Sequence, residues 1–284
     1  MSFSRIACFV VALFFLFASP ALAWDSSGHR VIAQIAYNNL TPTAKNKVDQ
    51  LTELLDQKYP ARSRFLFAST WPDQIKNDGV TAFNNWHFIN YPFSVDGTAT
   101  KPPQEENVVW AIQQSEKVLT STKANPYEKA IFLRYLIHFV GDAHQPLHCA
   151  ELYSKEFPVG DASGNLYMIK DVYVQNLHAF WDQGVGSFRQ YGNNYPLTNK
   201  DAGKLADKIQ QAYPQSFFAN QATDLNPQAW AQQSFAIAKS FVYSAPENSK
   251  PSDSYVQQGQ QKVEQQLALA GYRLANLLNQ IFSS

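Results

Sequence analysis

NPYEKAIFLRYLIHFVGDAHQPLH, residues 125–148, is the stretch whose reading decides the fold. Asn125 is a helix-capping residue type, Pro126 suits the first helical position, and Glu128 places an acid in the first turn. Ile131, Tyr135, His138 and Asp142 follow at three- and four-residue spacing, so a strong helix is expected to start at Pro126 and run through Asp142. His138 and Asp142, four apart, then lie on one face and can share a metal or serve adjacent metals. Pro146 lacks an N–H and disrupts the helix, redirecting the chain so that His148 can face a different metal from the one His138 serves.

Outward from this segment, helical signals dominate. Val31, Ile32, Ile35, Ala36 and Leu40 repeat at helical spacing, and Thr41-Pro42 forms a cap pair opening a second helix through about Leu55. Asn226-Pro227 gives the same start signal before Trp230, Phe235, Ile237 and Phe241, and the Gln- and Leu-rich tail from about Tyr255 to Ile281 is helical in period. Pro, Gly, Asp, Ser and Asn between Phe157 and Lys170 suggest a loop or small hairpin, and Trp86 to Phe93 reads as extended. The expected class is all-α: one mainly helical domain with a small β-hairpin or extended loop. No repeat, low-complexity tract or charge block divides it.

The start of the chain reads differently. Arg5, the apolar run Cys8 to Phe17 and the small residues ending in Ala21-Leu22-Ala23 form the order of a secretory signal peptide over residues 1–23. Cleavage is expected at Ala23/Trp24, leaving a domain over 24–284 that is secreted or periplasmic. No stretch is long and apolar enough to span a bilayer. Cys8 departs with the signal, so Cys149, the other of two cysteines, has no intramolecular partner and disulfides cannot hold the domain together. Loss of Arg5 takes one from 23 basic residues, leaving 22 against 23 acidic ones, a balance that argues against a long electrostatic track for duplex nucleic acid.

The chain has six histidines, most of them beside aspartates. His178 and Asp182 repeat the spacing of His138 and Asp142. One such pair is more often an ordinary ion pair on a helix surface, but two weaken that reading. Trp71-Pro72-Asp73 and Trp86-His87-Phe88 each set a ligand type beside bulky aromatics, and Gly28-His29 lies about one turn from Trp24. A freed α-amine and carbonyl of Trp24 would form a five-membered chelate that His29 can complete. Imidazole and carboxylate suit Zn²⁺, and two cysteines exclude a thiolate-rich structural site, so the metal is expected to be catalytic.

Together, Trp24…Gly28-His29, Trp71-Pro72-Asp73, Trp86-His87-Phe88, residues 138–148 and Asn176…Asp182 resemble the S1/P1 nucleases, a family of zinc-dependent single-strand nucleases related to zinc phospholipase C. The resemblance implies three zinc ions per chain: one held by Asp73, His87, His138 and Asp142, a second by Trp24, His29 and bridging Asp142, a third by His148, His178 and Asp182. It implies an endonuclease that cleaves single-stranded DNA and RNA to 5′-phosphate products, with 3′-nucleotides as additional substrates and no obligate protein partner. The two zincs bridged by Asp142 are implied to lower the pKa of a shared water. Lys76, where many relatives have Arg, offers charge to the phosphate without a planar fork. Phe88 matches a ring on which a base stacks, and Asn90 stands where some relatives place an acid, so base preference does not carry over. His144 has no ligand role in the pattern and is expected to make a structural or outer-sphere hydrogen bond.

Two other functions fit parts of this pattern. A zinc phospholipase C shares the N-terminal Trp and three zincs, but the phospholipases resemble one another in ending the last pair in Glu, where this chain has Asp182. A non-catalytic zinc-sequestering protein usually carries His-rich or acidic loops, whereas these ligands are dispersed among apolar residues.

Overall fold

The structure is a computed structural model that describes residues 24–283; the expected signal peptide lies outside the described residues. Ten α-helices are described: α1 Ser26–Asn38, α2 Pro42–Leu55, α3 Ala61–Ala68, α4 Trp71–Asn77, α5 Val108–Thr120, α6 Pro126–Asp142, α7 Leu177–Asp182, α8 Asn199–Ala212, α9 Pro227–Ser240 and α10 Asp253–Ile281. Local chemistry sets many of their starts. Asn125 Oδ1 accepts the Glu128 N–H at 3.0 Å, Thr41 Oγ1 accepts the Ala44 N–H, and Asn226 Oδ1 accepts the Gln228 N–H, each with Pro at the first helical position.

The only sheet among the described residues pairs β1 Tyr91–Ser94 with β2 Ala150–Tyr153, and the pairing is parallel, Tyr91 opposite Ala150. It ties the segment after His87 to the segment after His148. The sequence reading put extended structure from Trp86, but Asn84–His87 forms a 3₁₀ turn and extension begins after it. Residues 157–170 form a loop rather than a hairpin, with one bridge from Met168 to Asn176. Positive φ at Gly160, Ala162, Ser163 and Gly164 keeps this backbone out of a regular ladder.

Close approach of helices places the site. A Cβ on Gly271 of α10 would lie 2.5 Å from the Ile35 side chain of α1, so only glycine lets these two helices meet this closely. A Cβ on Gly141 of α6 would lie 2.8 Å from His29 Nδ1, so the same economy of volume lets α1 bring its imidazole against the end of α6. Trp181, Trp230, Phe65, Phe139 and Phe188 fill the surrounding core and are fully buried. Burial of each such ring contributes on the order of 2–3 kcal/mol, which lets the core hold polar groups at its centre.

Candidate metal centre

Eight of the nine candidate ligands, from six elements of the chain, converge in the interior. His29 comes from α1, Asp73 from α4, His87 from the 3₁₀ turn, His138 and Asp142 from α6, His148 from the 3₁₀ turn before β2, and His178 and Asp182 from α7. Trp24, just before α1, is fully buried and its indole N–H donates to the Gly141 carbonyl at 3.1 Å. The Asp25 backbone N–H donates to the Asp182 carbonyl at 3.0 Å, which ties the start of the domain to α7.

Three groups have ligand atoms within 4.8 Å of one another: His29 with His138 and Asp142, Asp73 with His87 and His138, and His148 with His178 and Asp182. Asp142 sits between the first two. Its Oδ1 lies 3.3 Å from His29 Nε2, and its Oδ2 lies 3.1 Å from His87 Nδ1 and 3.3 Å from His138 Nε2. The rings of His29 and His138 stack with centroids 3.9 Å apart. Asp73 joins from the other side, 3.7 Å from His138 and 3.8 Å from His87.

Backbone carbonyls fix the imidazoles. His138 Nδ1–H donates to the Ser69 carbonyl at 2.7 Å, His148 Nδ1–H to the His87 carbonyl at 2.7 Å, and His178 Nδ1–H to the Ser163 carbonyl at 2.6 Å. With Nδ1 committed as donor, the neutral ring presents an Nε2 lone pair inward. His148 Nε2 and His178 Nε2 therefore face each other lone pair to lone pair at 3.2 Å. Around the other group, both ring nitrogens of His29, Asp73 Oδ1 and Asp142 Oδ1 are buried without a hydrogen bond. Apposed lone pairs and orphaned carboxylate oxygens are costly unless a cation sits among them, so this donor set fits divalent metal ions.

The electrostatics agree. Burial alone would raise the Asp142 carboxyl, but His138 beside it and hydrogen bonds from the imidazoles hold it well below the usual range. Burial likewise works against a charged His138, yet Asp142 and Asp73 raise it to about 9, so its Nε2 carries a proton at neutral pH that a metal ion would have to displace. Burial drives His148 down to about 3, keeping its lone pair free. Asp182 is pushed well above the usual range by burial, opposed by a hydrogen bond from Gln145. A divalent cation held beside Asp182 would reverse that balance and keep the carboxylate ionised.

Gln145 escaped the sequence reading. Its Nε2–H donates to Asp182 Oδ1 at 2.6 Å while its Oε1 accepts the Leu147 N–H, so one fully buried amide both orients Asp182 and shapes the turn carrying His148. Its place between His144 and Pro146 was the available signal. The carbonyls of Ser69, His87 and Ser163 had none, because every residue has one.

His144 does what was expected of a non-ligand. Its Nδ1–H donates to the Val140 carbonyl and its Nε2 accepts from Arg273 Nη1 at 2.8 Å. Burial, then the Arg273 charge, holds it well below its usual pKa and therefore neutral. Lys76 lies one turn beyond Asp73 on α4 and is half-buried. Phe88 is half-buried next to His87, its carbonyl held by the Val108 N–H and Gln104. Asn90 Oδ1 accepts the Ser163 hydroxyl at 3.1 Å.

A mainly helical domain with three His/Asp groups that could hold metal ions, two of them meeting at Asp142, has the donor set of a metal-dependent hydrolase. The S1/P1 Nuclease family pattern matches residues 24–283, and the chain belongs to that family. It is 29% identical to Endonuclease 4 of Arabidopsis thaliana over 93% of this chain and 91% of that protein. It is 24% identical to Nuclease P1 of Penicillium citrinum, covering 92% of this chain and 98% of the relative, and 24% identical to Nuclease S1 of Aspergillus oryzae, covering 94% of each. Membership makes it a nuclease, a hydrolase of phosphodiester bonds. No helix among the described residues is long and apolar enough to cross a membrane.

Proposed function

We propose that this enzyme is exported after cleavage before Trp24, holds three zinc ions, and cuts single-stranded DNA and RNA endonucleolytically to 5′-phosphate ends. The observation that supports it most is three His/Asp groups in which imidazole lone pairs of His148 and His178 face each other and carboxylate oxygens of Asp73 and Asp142 are buried without a hydrogen bond. Asp73, His87, His138 and Asp142 would hold one ion, and His148, His178 and Asp182 would hold another. Trp24, through its amine and carbonyl, would hold the remaining ion together with His29 and Asp142. When bound, zinc lowers the pKa of water and neutralises charge developing on phosphate oxygens.

The chain's own residues supply the rest. Asp142, with one oxygen 3.3 Å from His29 and the other 3.1 Å from His87, would contribute to holding two of the ions. Lys76 adds a positive charge for the phosphate, and Phe88 offers a ring on which an unpaired base stacks, a contact worth roughly 1–3 kcal/mol that a paired base cannot make. Asn90 offers an amide to the base edge. Export would follow from the leader-like residues 1–23, and their removal would free the Trp24 amine.

The test is a zinc count per processed chain, together with turnover of denatured DNA, RNA and phosphatidylcholine. Three zincs with hydrolysis of the nucleic acids is the expected result. One zinc dismantles the ligand assignment, turnover of lipid alone makes it a phospholipase, and retained zinc without any hydrolysis makes it a metal-sequestering protein.

A further inference from the structure

A cavity of about 270 Å³ is lined by Asp56, Tyr59, Phe67, Trp71, Gln74 and Arg134, the last three on the same two helices that carry Asp73 and His138. Arg134, His138 and Asp142 follow one another at four-residue steps on α6, so Arg134 lies one turn, roughly 6 Å along the axis, from the first metal-facing imidazole. On the facing helix, Trp71 and Gln74 are one turn apart, and Asp73 between them points to the metal group. The two helices that present metal-facing residues thus also build this cavity.

Its chemistry is that of a base-binding pocket. The Arg134 guanidinium lies over the Trp71 ring, 5.3 Å from the centroid, and Tyr59 meets Phe67 edge-on at 4.7 Å. Arg134 Nε is buried with no hydrogen-bond partner, an unmet donor at the cavity wall. Gln74 supplies an amide that both donates and accepts. Asp56 adds a carboxylate, which repels a phosphate but accepts from the amino or imino groups of a base. The volume sits near the lower end for small-molecule sites, roughly 300–1,000 Å³, and suits one ring system.

We infer that this cavity is an accessory subsite that takes one unpaired nucleobase of a strand whose phosphate lies at the metal centre, stacked against the Trp71 and Arg134 platform and read by Arg134, Gln74 and Asp56. The inference rests on the nuclease reading and adds a second contact to it, remote from Phe88. Only strands long enough to reach both places gain from the pocket.

The experiment compares the processed, zinc-loaded wild type with Tyr59→Ala and Arg134→Gln on oligothymidylates of two and eight nucleotides. In the wild type KM falls with length. In both variants KM for the eight-mer rises roughly 5- to 100-fold, the scale of one lost base stack, while kcat and all dinucleotide kinetics stay at the wild-type level. Tyr59 precedes α3 and is substantially exposed, so its variant keeps the test meaningful if Arg134→Gln disturbs α6. An unchanged eight-mer KM in Tyr59→Ala overturns the inference, as does an equal loss on both lengths. Anisotropy of a labelled octathymidylate separates binding from cleavage. A wild type that binds without cutting, with weaker binding in the variants, sinks the catalytic reading and keeps the subsite. Equal affinity in all three proteins removes the subsite and leaves the nuclease reading intact.

Discussion

Replacing Gln145 with Leu should release one metal ion and leave the others in place. The side-chain amide is fully buried, and its Nε2–H is the donor that orients Asp182 Oδ1 at 2.6 Å, whereas Asp142 meets Gln145 through the backbone, its carbonyl accepting the Gln145 N–H at 3.0 Å, a bond that the substitution keeps. Removing a partner that orients a ligand typically lowers metal affinity 10- to 100-fold, roughly 1.4–2.8 kcal/mol, and that loss should fall on the group formed by His148, His178 and Asp182. The assay is zinc per chain during stepwise competition with a chelator. Wild type should give up its ions at higher chelator than the variant gives up its first, and the remaining two should leave both proteins together. Gln145→Glu controls for the turn: it keeps an acceptor for the Leu147 N–H but sets a carboxylate against Asp182, so it should lose the same ion. If both variants keep every ion at wild-type chelator resistance, Gln145 orients nothing. If all ions leave earlier in equal measure, the effect is general destabilisation.

One residue added before Trp24 turns the terminal amine into an amide without a donor lone pair, and turnover should vanish; normal kinetics from an extended enzyme would discard the Trp24 chelate. His138→Ala removes an imidazole shared by two groups and should cut activity beyond the roughly 100-fold typical of outer-shell changes, measured on denatured DNA. Glu151 tests the loop that holds His178. It is buried, accepts the Ala162 N–H, and is raised to about 7, chiefly by burial and then by Asp161. A carboxyl raised in the folded state keeps its proton there while the unfolded chain has lost it, so stability falls as pH climbs from about 4.5 to about 7. Glu151→Gln should flatten that fall, giving a Tm above wild type at pH 8 but not at pH 4; parallel melting curves across this range would contradict it.

Helix starts were legible because a cap is a local object. Asn125, Thr41 and Asn226 each satisfy an N–H two or three residues ahead, and no distant residue has to be known. The 138–142 and 178–182 pairs were legible for the same reason, since four-residue spacing puts two side chains on one helix face. The parallel pairing of β1 with β2 was not, because each strand is four residues long and its partner lies some sixty residues away. Short runs carry little period, and register across such a distance is set by what the rest of the fold packs between them. The Trp86–His87 turn was lost in the same way.

The sequence by itself determined the kinds of ligand, their local pairing on helices, the all-α class and the leader-like start. Tertiary structure alone decided that His29 meets Asp142 over the bare face of Gly141, that Gln145 reaches Asp182, and that carbonyls of Ser69, His87 and Ser163 hold three imidazoles in one tautomer. The division has a physical origin. Caps and helix faces depend on backbone groups within one turn, whereas a shared metal cavity depends on close packing between segments far apart in the chain, where the removal of a single methyl volume sets which atoms touch.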